Sequence, residues 1–399
     1  MRFAKTRKAA LAAVAVTALT LTACSATGND GGEEGSAEPL RIGVIVPLSG
    51  AAGPNGAHVL AGIEAQAGII NDAGGVDGRM IEVVSRDDQS TPATGVAAAT
   101  DLVEEGVDVI MGGWNSPVTL AIQPVLDRAD VLNITSIPQN ASILGGADPT
   151  AIRMNAGNAI GGYTAAHYIA DELGAETVAL MLQNDAYGLD AGEFVRQNLP
   201  EGVEVVSEEL FEYTDTDFRV AISNVMAANP DAVYSANAAE SSGQPALMQQ
   251  LGASNLDFPY FAGTGTVSHT VIEAAGEGAV ETISADLYFG DVEPWASFPH
   301  NVTFMERFEE EVGSLPDKFA ALGGQSVDVW AQAVANAGSA ERQAVADAIY
   351  GQSFEETILG PVSFTGHGQQ MFPMYAFSVS DGEITVLDEI DIPAEIWEQ

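Results

Sequence analysis

Residues 107–139 read VDVIMGGWNSPVTLAIQPVLDRADVLNITSIPQ. The apolar run Val109, Ile110 and Met111 predicts a buried strand, Gly112-Gly113 a turn, and Trp114 to Ser116 a polar loop. A helix is expected from Pro117, kinked at Pro124, before a second strand that ends in Thr135 and Ser136. This is one βαβ unit. Ser116 followed by Pro117 reads as an N-cap with proline at the first helical position, so free backbone N–H groups and the positive end of the helix dipole point out of the loop. Such a position suits a carboxylate or a carbonyl. In open parallel sheets small ligands bind beyond the carboxyl ends of the strands. The loops near Asn115 and Gln139 are therefore expected to form one wall of a site.

The same alternation extends in both directions. Upstream, Ile42 to Val46 reads as a buried strand closed by Pro47 and a Ser49-Gly50 turn. Val59, Leu60, Ile63, Ala67 and Ile70 are then spaced for one buried helix face. The segment NDAGGVDGRMIEVV is a glycine-rich turn into a second strand, and Thr91-Pro92 caps the next helix. Downstream the alternation restarts after Arg153, with helix 159–173, strand Val178–Leu182, a Tyr187-Gly188 loop and helix 190–198. Strand Val203–Glu208, helix 217–228 and strand Ala232–Ser235 follow. A chain of 399 residues patterned this way is long enough for two α/β domains, each with its own core. An internal structural repeat fits the restart, although no sequence repeat accompanies it.

Charge narrows the partners. Fourteen basic residues face 56 acidic ones, and Arg2, Lys5, Arg7 and Lys8 all precede residue 24, so the remainder carries 10 minus 56, or −46. Beyond those first residues the only lysine is Lys318. Nucleic-acid binding rests on neutralising phosphates with lysine and arginine, and this chain offers no basis for it; anionic membrane surfaces would also repel the body. The acidic surface has two readings, adaptation to a salty medium where counterions screen self-repulsion, or an ordinary acidic extracellular protein. A melting series from low to molar NaCl separates them, a flat response excluding the first.

Residues 1–23 read as a secretory leader, a basic start followed by the apolar run AALAAVAVTALTL, too short for a confident membrane span. It ends in Leu21-Thr22-Ala23-Cys24, which resembles the bacterial lipobox, where the cysteine is diacylated and becomes N-terminal. Cys24 is the only cysteine, so no internal disulfide is possible. No twin arginine occurs, which favours the general secretory route. From Cys24 to residue 39 the chain is small, polar and acidic, a flexible tether. Leader, lipid anchor and tether together place the body at the outer face of a bacterial cell membrane, held there through the anchor only.

The series RIGVIVPLSG, INDAGGVDGRMIEVVSRDDQSTP, GVDVIMGGWNS and ITS resembles the type I periplasmic binding proteins of ABC importers for branched-chain amino acids, amides, urea and aromatic acids. QNDAYG, NPDAVYSANAAESSGQPALMQQLGA, YFAGTG and ILGPVSFTGHGQQ continue it in family order, so the likeness covers nearly everything from Leu40 onward. The resemblance implies an α/β fold of two similar doubly wound parallel-sheet lobes joined by a three-crossover hinge, a Venus flytrap. Expected boundaries are 40–156 plus 288–373 for the first lobe and 157–287 plus 374–399 for the second. The crossovers fall near Asn155 to Gly157, Asp286 to Tyr288 and Met374 to Phe377. A monomeric binder of a small solute is implied, with an importer permease as partner and no cofactor. A sensor that reports to a membrane partner would use the same clamshell, and neighbouring permease or signalling genes would tell the two apart.

The resemblance also implies site residues. In the family the ligand's carboxylate or carbonyl is held by the loops after the third and fourth strands, which places Ser116, with Asn115 and Trp114 beside it, and Gln139 at the site. Ser116 has a second reading as a helix cap, and Trp114 is either an apolar wall or a packed lid. Gln139 stands where the family has threonine, and its amide could still donate. Tyr187 matches the tyrosine that closes over the ligand; packing its own loop is the other reading. Ser49, Asn55, Asn237 and Thr264 complete the expected ligand-binding set. Aromatic positions of the amino-acid binders fall on Asn55 and on Asn237 or Ala238, and the loop Gly263 to Thr266 lacks the acid that pairs with a ligand ammonium there. Glu240 either supplies that charge from a neighbouring loop or sits on a solvated helix start.

Enzyme chemistry finds no motif. GTGTVS at Gly263 lacks the third glycine of a dinucleotide fingerprint, Lys318 has no phosphate-binding glycine loop before it, and no G-x-S-x-G elbow occurs. His58, His167, His269, His300 and His367 are scattered without metal-ligand spacing.

Overall fold

The protein is described by a computed structural model over residues 38–145, 151–254 and 256–399. The leader, Cys24 and the tether up to residue 37 lie outside the described residues. Strands β1 (Leu40–Val46), β2 (Ile81–Asp87), β3 (Val109–Gly112), β4 (Leu132–Thr135) and β5 (Ala151–Arg153) form a parallel sheet in the order β2-β1-β3-β4-β5. A strand turns successive side chains to opposite faces, and β1 uses both. Ile42, Val44 and Val46 pack with Val59 and Ile63 of α1 (Gly53–Asp72). Ile45 packs instead with Leu102 of α2 (Pro92–Glu104) and Ile122 of α3 (Ser116–Ala129). Burial on both faces explains why these strands read as continuous apolar runs.

The second sheet follows the restart after Arg153. The helix expected over 159–173 is α4 (Asn158–His167), continued by a π-helical turn at Tyr168–Glu172. Then come β6 (Thr177–Gln183), α5 (Ala186–Asn198), β7 (Glu204–Phe211), α6 (Arg219–Ala228), β8 (Ala232–Ala236), α7 (Gly243–Ala253), β9 (Tyr260–Ala262), α8 (His269–Ala275) and β10 (Thr282–Asp286). The chain returns to the first layer as α9 (Pro299–Val312), α10 (Lys318–Ala337) and α11 (Arg342–Ile349), with α9 and α10 packed on α1. Short strands β11 (Ser353–Phe354), β12 (Val362–Phe364) and β13 (Gln370–Met371) make an antiparallel sheet of their own, and two- and three-residue strands leave no periodicity to read. Finally β14 (Met374–Ser380) and β15 (Glu383–Ile390) add antiparallel to β10, giving the order β15-β14-β10-β9-β8-β6-β7.

One expectation at the start of α3 is corrected. Asn115, in an extended conformation with φ −89° and ψ 125°, is the N-cap, and Ser116 is already helical with Pro117 behind it. The reason is local: Ser116 Oγ accepts from the backbone N–H of Asn140 at 3.3 Å, so its oxygen serves the loop after β4 and not its own helix. The helix then runs through Pro124 to Ala129. Among the described residues no helix is long and apolar enough to cross a membrane.

Candidate functional site

Both sheets turn the carboxyl ends of their parallel strands to one narrow cleft, with about 30 Å³ of space open to a water-sized molecule. From the first sheet come Trp114, Asn115 and Ser116 after β3, and Ile137, Pro138 and Gln139 after β4. The opposite wall is Gln183, Asp185 and Tyr187 after β6, Ala238 and Glu240 after β8, and Gly265 and Thr266 after β9.

Each wall is held from behind. Arg153, 1 % exposed, donates through Nη1 to the carbonyls of Gln139 and Asn140 at 3.1 and 3.0 Å and through Nε to Gln369 Oε1 at 2.6 Å. Burial lowers its guanidinium to about 10, still charged at neutral pH, with the negative field of Asp190 acting the other way. Trp114 stands edge-on to Phe319 with ring centres 4.8 Å apart, which fixes the indole as an apolar floor. Across the cleft, Asp185 caps α5, its Oδ1 accepting from the N–H groups of Tyr187 at 2.9 Å and Gly188 at 3.1 Å. That cap aims Tyr187, whose phenol burial raises well above its ordinary pKa, so it stays a neutral donor. Tyr213, beyond β7, faces Trp114 and is pushed up to about 12, chiefly by burial.

The walls touch. Gln139 Nε2 donates to the Thr264 carbonyl at 3.2 Å, Asn140 Nδ2 to the Ala186 carbonyl at 2.6 Å, and the Ala141 N–H to Asp190 Oδ2 at 3.0 Å. Lys318, 5 % exposed at the start of α10, pairs with Asp286 Oδ2 at the end of β10 at 3.2 Å and donates to the Gly265 carbonyl. Around the cleft, several buried polar atoms have no protein partner: Asn115 Oδ1 and Glu240 Oε2 on its lining, and Thr264 Oγ1 and Asn237 Nδ2 off it. Buried polar groups are nearly always satisfied, and each exception costs about 1–3 kcal/mol. A polar solute in the cleft would meet those on its walls.

Trp114, Asn115, Ser116, Gln139 and Tyr187 thus come together. Thr264 is buried immediately before Gly265. Four expected ligand residues lie off the lining, Thr264 among them. Ser49 is exposed and bonded to Asp87, Asn55 accepts from Ser241 Oγ at 2.8 Å, and fully buried Asn237 accepts from the Ala239 N–H at 3.0 Å. Glu240 is 5 % exposed, and α7 begins only at Gly243, so it is no solvated helix start. Sequence reasoning missed Gln183, Asp185 and Lys318. Asp185 carried a signal, a cap residue ahead of the Tyr187-Gly188 loop, and Lys318 carried another, its solitude in a lysine-poor chain. No cluster of three or more metal-ligating side chains occurs among the described residues.

A family model described as periplasmic binding protein matches residues 39–383. Leu/Ile/Val-binding protein homolog 1 of Brucella suis is 26 % identical over 338 residues, covering 84 % of this chain and 88 % of the relative. The isoleucine complex of the branched-chain amino acid transporter substrate-binding protein LivJ from Streptococcus pneumoniae superposes with a TM-score of 0.78 at 22 % identity, covering 88 % of this chain and 99 % of that one. A solute-binding protein of an ABC transporter from Rhodopseudomonas palustris, in complex with benzoate, gives 0.77 at 23 % identity, covering 88 % and 96 %. These relatives are solute-binding proteins and not enzymes. The facing parallel sheets, the cleft at their strand ends and the match over most of its length show that the chain belongs to the periplasmic binding protein family.

Proposed function

We propose that this protein captures a small polar solute between two lobes and delivers it to the permease of an ABC importer. The solute is a branched-chain amino acid, an amide, a urea-like compound or an organic acid. The lobes are residues 40–156 with 288–373 and residues 157–287 with 374–399, hinged at Asn155 to Gly157, Asp286 to Tyr288 and Met374 to Phe377. The observation that carries this reading is the set of unpartnered buried polar atoms, Asn115 Oδ1 and Glu240 Oε2 foremost, on facing walls of one cleft. A solute contacting both walls stabilises the closed arrangement by its differential affinity, which lets the permease tell loaded from empty protein.

A thermal-shift screen of amino acids, amides and aromatic acids identifies the solute, and titration calorimetry of the Ser116→Ala, Tyr187→Ala double variant tests the site. Affinity falls more than ten-fold, roughly 1.4 kcal/mol, with the fold intact. Wild-type affinity in that variant contradicts the assignment. Delivery takes place at the outer face of the cell membrane, the protein being a monomer anchored through Cys24. Cys24→Ala then releases the protein from the membrane, because the acidic body has no other affinity for it; unchanged retention contradicts the anchor.

A further inference from the structure

Strand β5 ends at Arg153, where the chain leaves the first sheet, and the buried guanidinium there serves two segments at once. Nη1 donates to the carbonyls of Gln139 and Asn140, at the loop that lines the cleft, and Nε donates to Gln369 Oε1. From Gln369 the bonds return to the chain just past β5. Its Nε2 donates to the Asn155 carbonyl at 2.9 Å, and Gln370 Nε2 donates to the Met154 carbonyl at 3.0 Å. Asn155 Nδ2 in turn donates to the Ile137 carbonyl at 2.8 Å, and the Asn158 N–H donates to the Gln139 carbonyl at 2.8 Å. Gly157 lies against the guanidinium, where a Cβ would stand 2.2 Å from Nη2.

We infer that Arg153 is a positioning residue for solute capture: it locks the cleft loop, Ile137 to Asn140, to the first crossover and the start of α4. The two segments then shift as one unit when the lobes open and close. This rests on the cleft being the solute site and on Asn155 to Gly157 being a hinge. The acceptors of Arg153 are two carbonyls and an amide oxygen, all neutral, so an ion pair is not what the residue provides. It provides a planar fork with donors aimed in two directions, which the point charge of a lysine ammonium does not reproduce. A buried guanidinium is costly unless those bonds are kept, so the three hold or fail together.

Coupling between separated parts of a protein is carried by contiguous hydrogen-bond networks and the rigid elements attached to them. This network is short. Gln139 lines the cleft, and its carbonyl accepts from Arg153 and from Asn158, the first residue of α4. Asn158 Nδ2 donates to the Tyr187 carbonyl at 3.0 Å and to Asp190 Oδ2 at 2.8 Å, which brings in the opposite wall. A solute that draws Gln139 and Tyr187 together therefore acts on α4 through the segment that Arg153 holds. Gln369 and Gln370, shortly ahead of β14, tie the approach to the third crossover to the same centre.

Hydrogen exchange of the full chain, with no solute added and over a series of low urea concentrations, tests the lock. Segments that open as one unit share one opening free energy and one urea dependence. Peptides covering residues 137–141 and 155–158 are expected to fall on a single dependence in the wild-type protein. In Arg153→Lys both exchange about ten-fold faster, as expected for lost hydrogen bonds to a charged group. Their urea dependences also separate, while β1 and β6 keep wild-type rates. Gln369→Glu keeps an acceptor for Nε but not the donor to Asn155, so residues 155–158 exchange faster and 137–141 do not. Separate dependences in the wild-type protein, or a single shared dependence surviving in Arg153→Lys, overturns the lock. Where Arg153→Lys loosens β1 and β6 as well, Gln369→Glu decides: faster exchange confined to 155–158 supports the lock, and equal exchange in both segments overturns it. No solute enters this measurement, so failure of the lock and failure of the cleft reading, judged by calorimetry, are told apart.

Discussion

Lys318 shows how far single residues can be read from this chain. Its solitude beyond the leader was visible, but nothing local in SLPDKFAAL says that the side chain points inward to Asp286, because the partner lies on a different sheet. Ser116 and Tyr187 reach the cleft lining at helix starts that the local pattern marks, although the cap before α3 is Asn115 and the cap before α5 is Asp185. Ser49, Asn55 and Asn237 lie off the cleft lining, their polar groups taken up by neighbours in the fold, Asp87, Ser241 and Ala239, which the sequence does not place beside them. The Lys318–Asp286 pair also joins the start of α10 to the end of β10, so it ties the two walls. Removing one member of a buried pair typically costs about 3–5 kcal/mol because the other charge is stranded. Lys318→Met should therefore lower the urea midpoint markedly, and adding Asp286→Asn should restore much of it. A wild-type midpoint in the single variant would show that the pair does not hold the walls.

At the scale of elements, the helix pair α1 and α10 sets the depth of the first layer. Of the five residues whose spacing predicts the buried face of α1, Val59, Ile63 and Ala67 are buried and Leu60 and Ile70 are half-buried against the same core. What pattern could not reveal is how close α10 comes. A Cβ added at Gly62 would lie 2.0 Å from the Ala320 carbonyl oxygen, and one at Gly323 would lie 2.4 Å from that of Val59. Both helices approach backbone to backbone, and glycine is the residue that permits it. Replacing glycine by alanine inside a helix gains about 1 kcal/mol from propensity, whereas forcing extra volume into a packed contact costs about 1–3 kcal/mol. At Gly62 the obstacle is rigid backbone, so Gly62→Ala should destabilise. Gly68 in the same helix meets only the movable end of Arg307, and Gly68→Ala should be neutral or stabilising. Equal urea midpoints for the two variants would contradict the close packing of α1 on α10.

Over the whole molecule, the order of βαβ units was legible because parallel strands buried on both faces give continuous apolar runs separated by glycine-rich turns. The small sheet β11-β12-β13 and the antiparallel edge β14-β15 were not, since short or half-exposed strands resemble loops. Least legible was the relation of the two walls, which depends on Gln139 reaching Thr264, Asn140 reaching Ala186 and Lys318 reaching Asp286. The proposed solute site rests on that relation, and the most direct test looks into it. Crystals grown with the compound that gives the largest melting shift should show electron density for it between Ser116 and Tyr187. A solute bound elsewhere on the molecule, with the cleft between the two sheets filled only by water, would contradict the account.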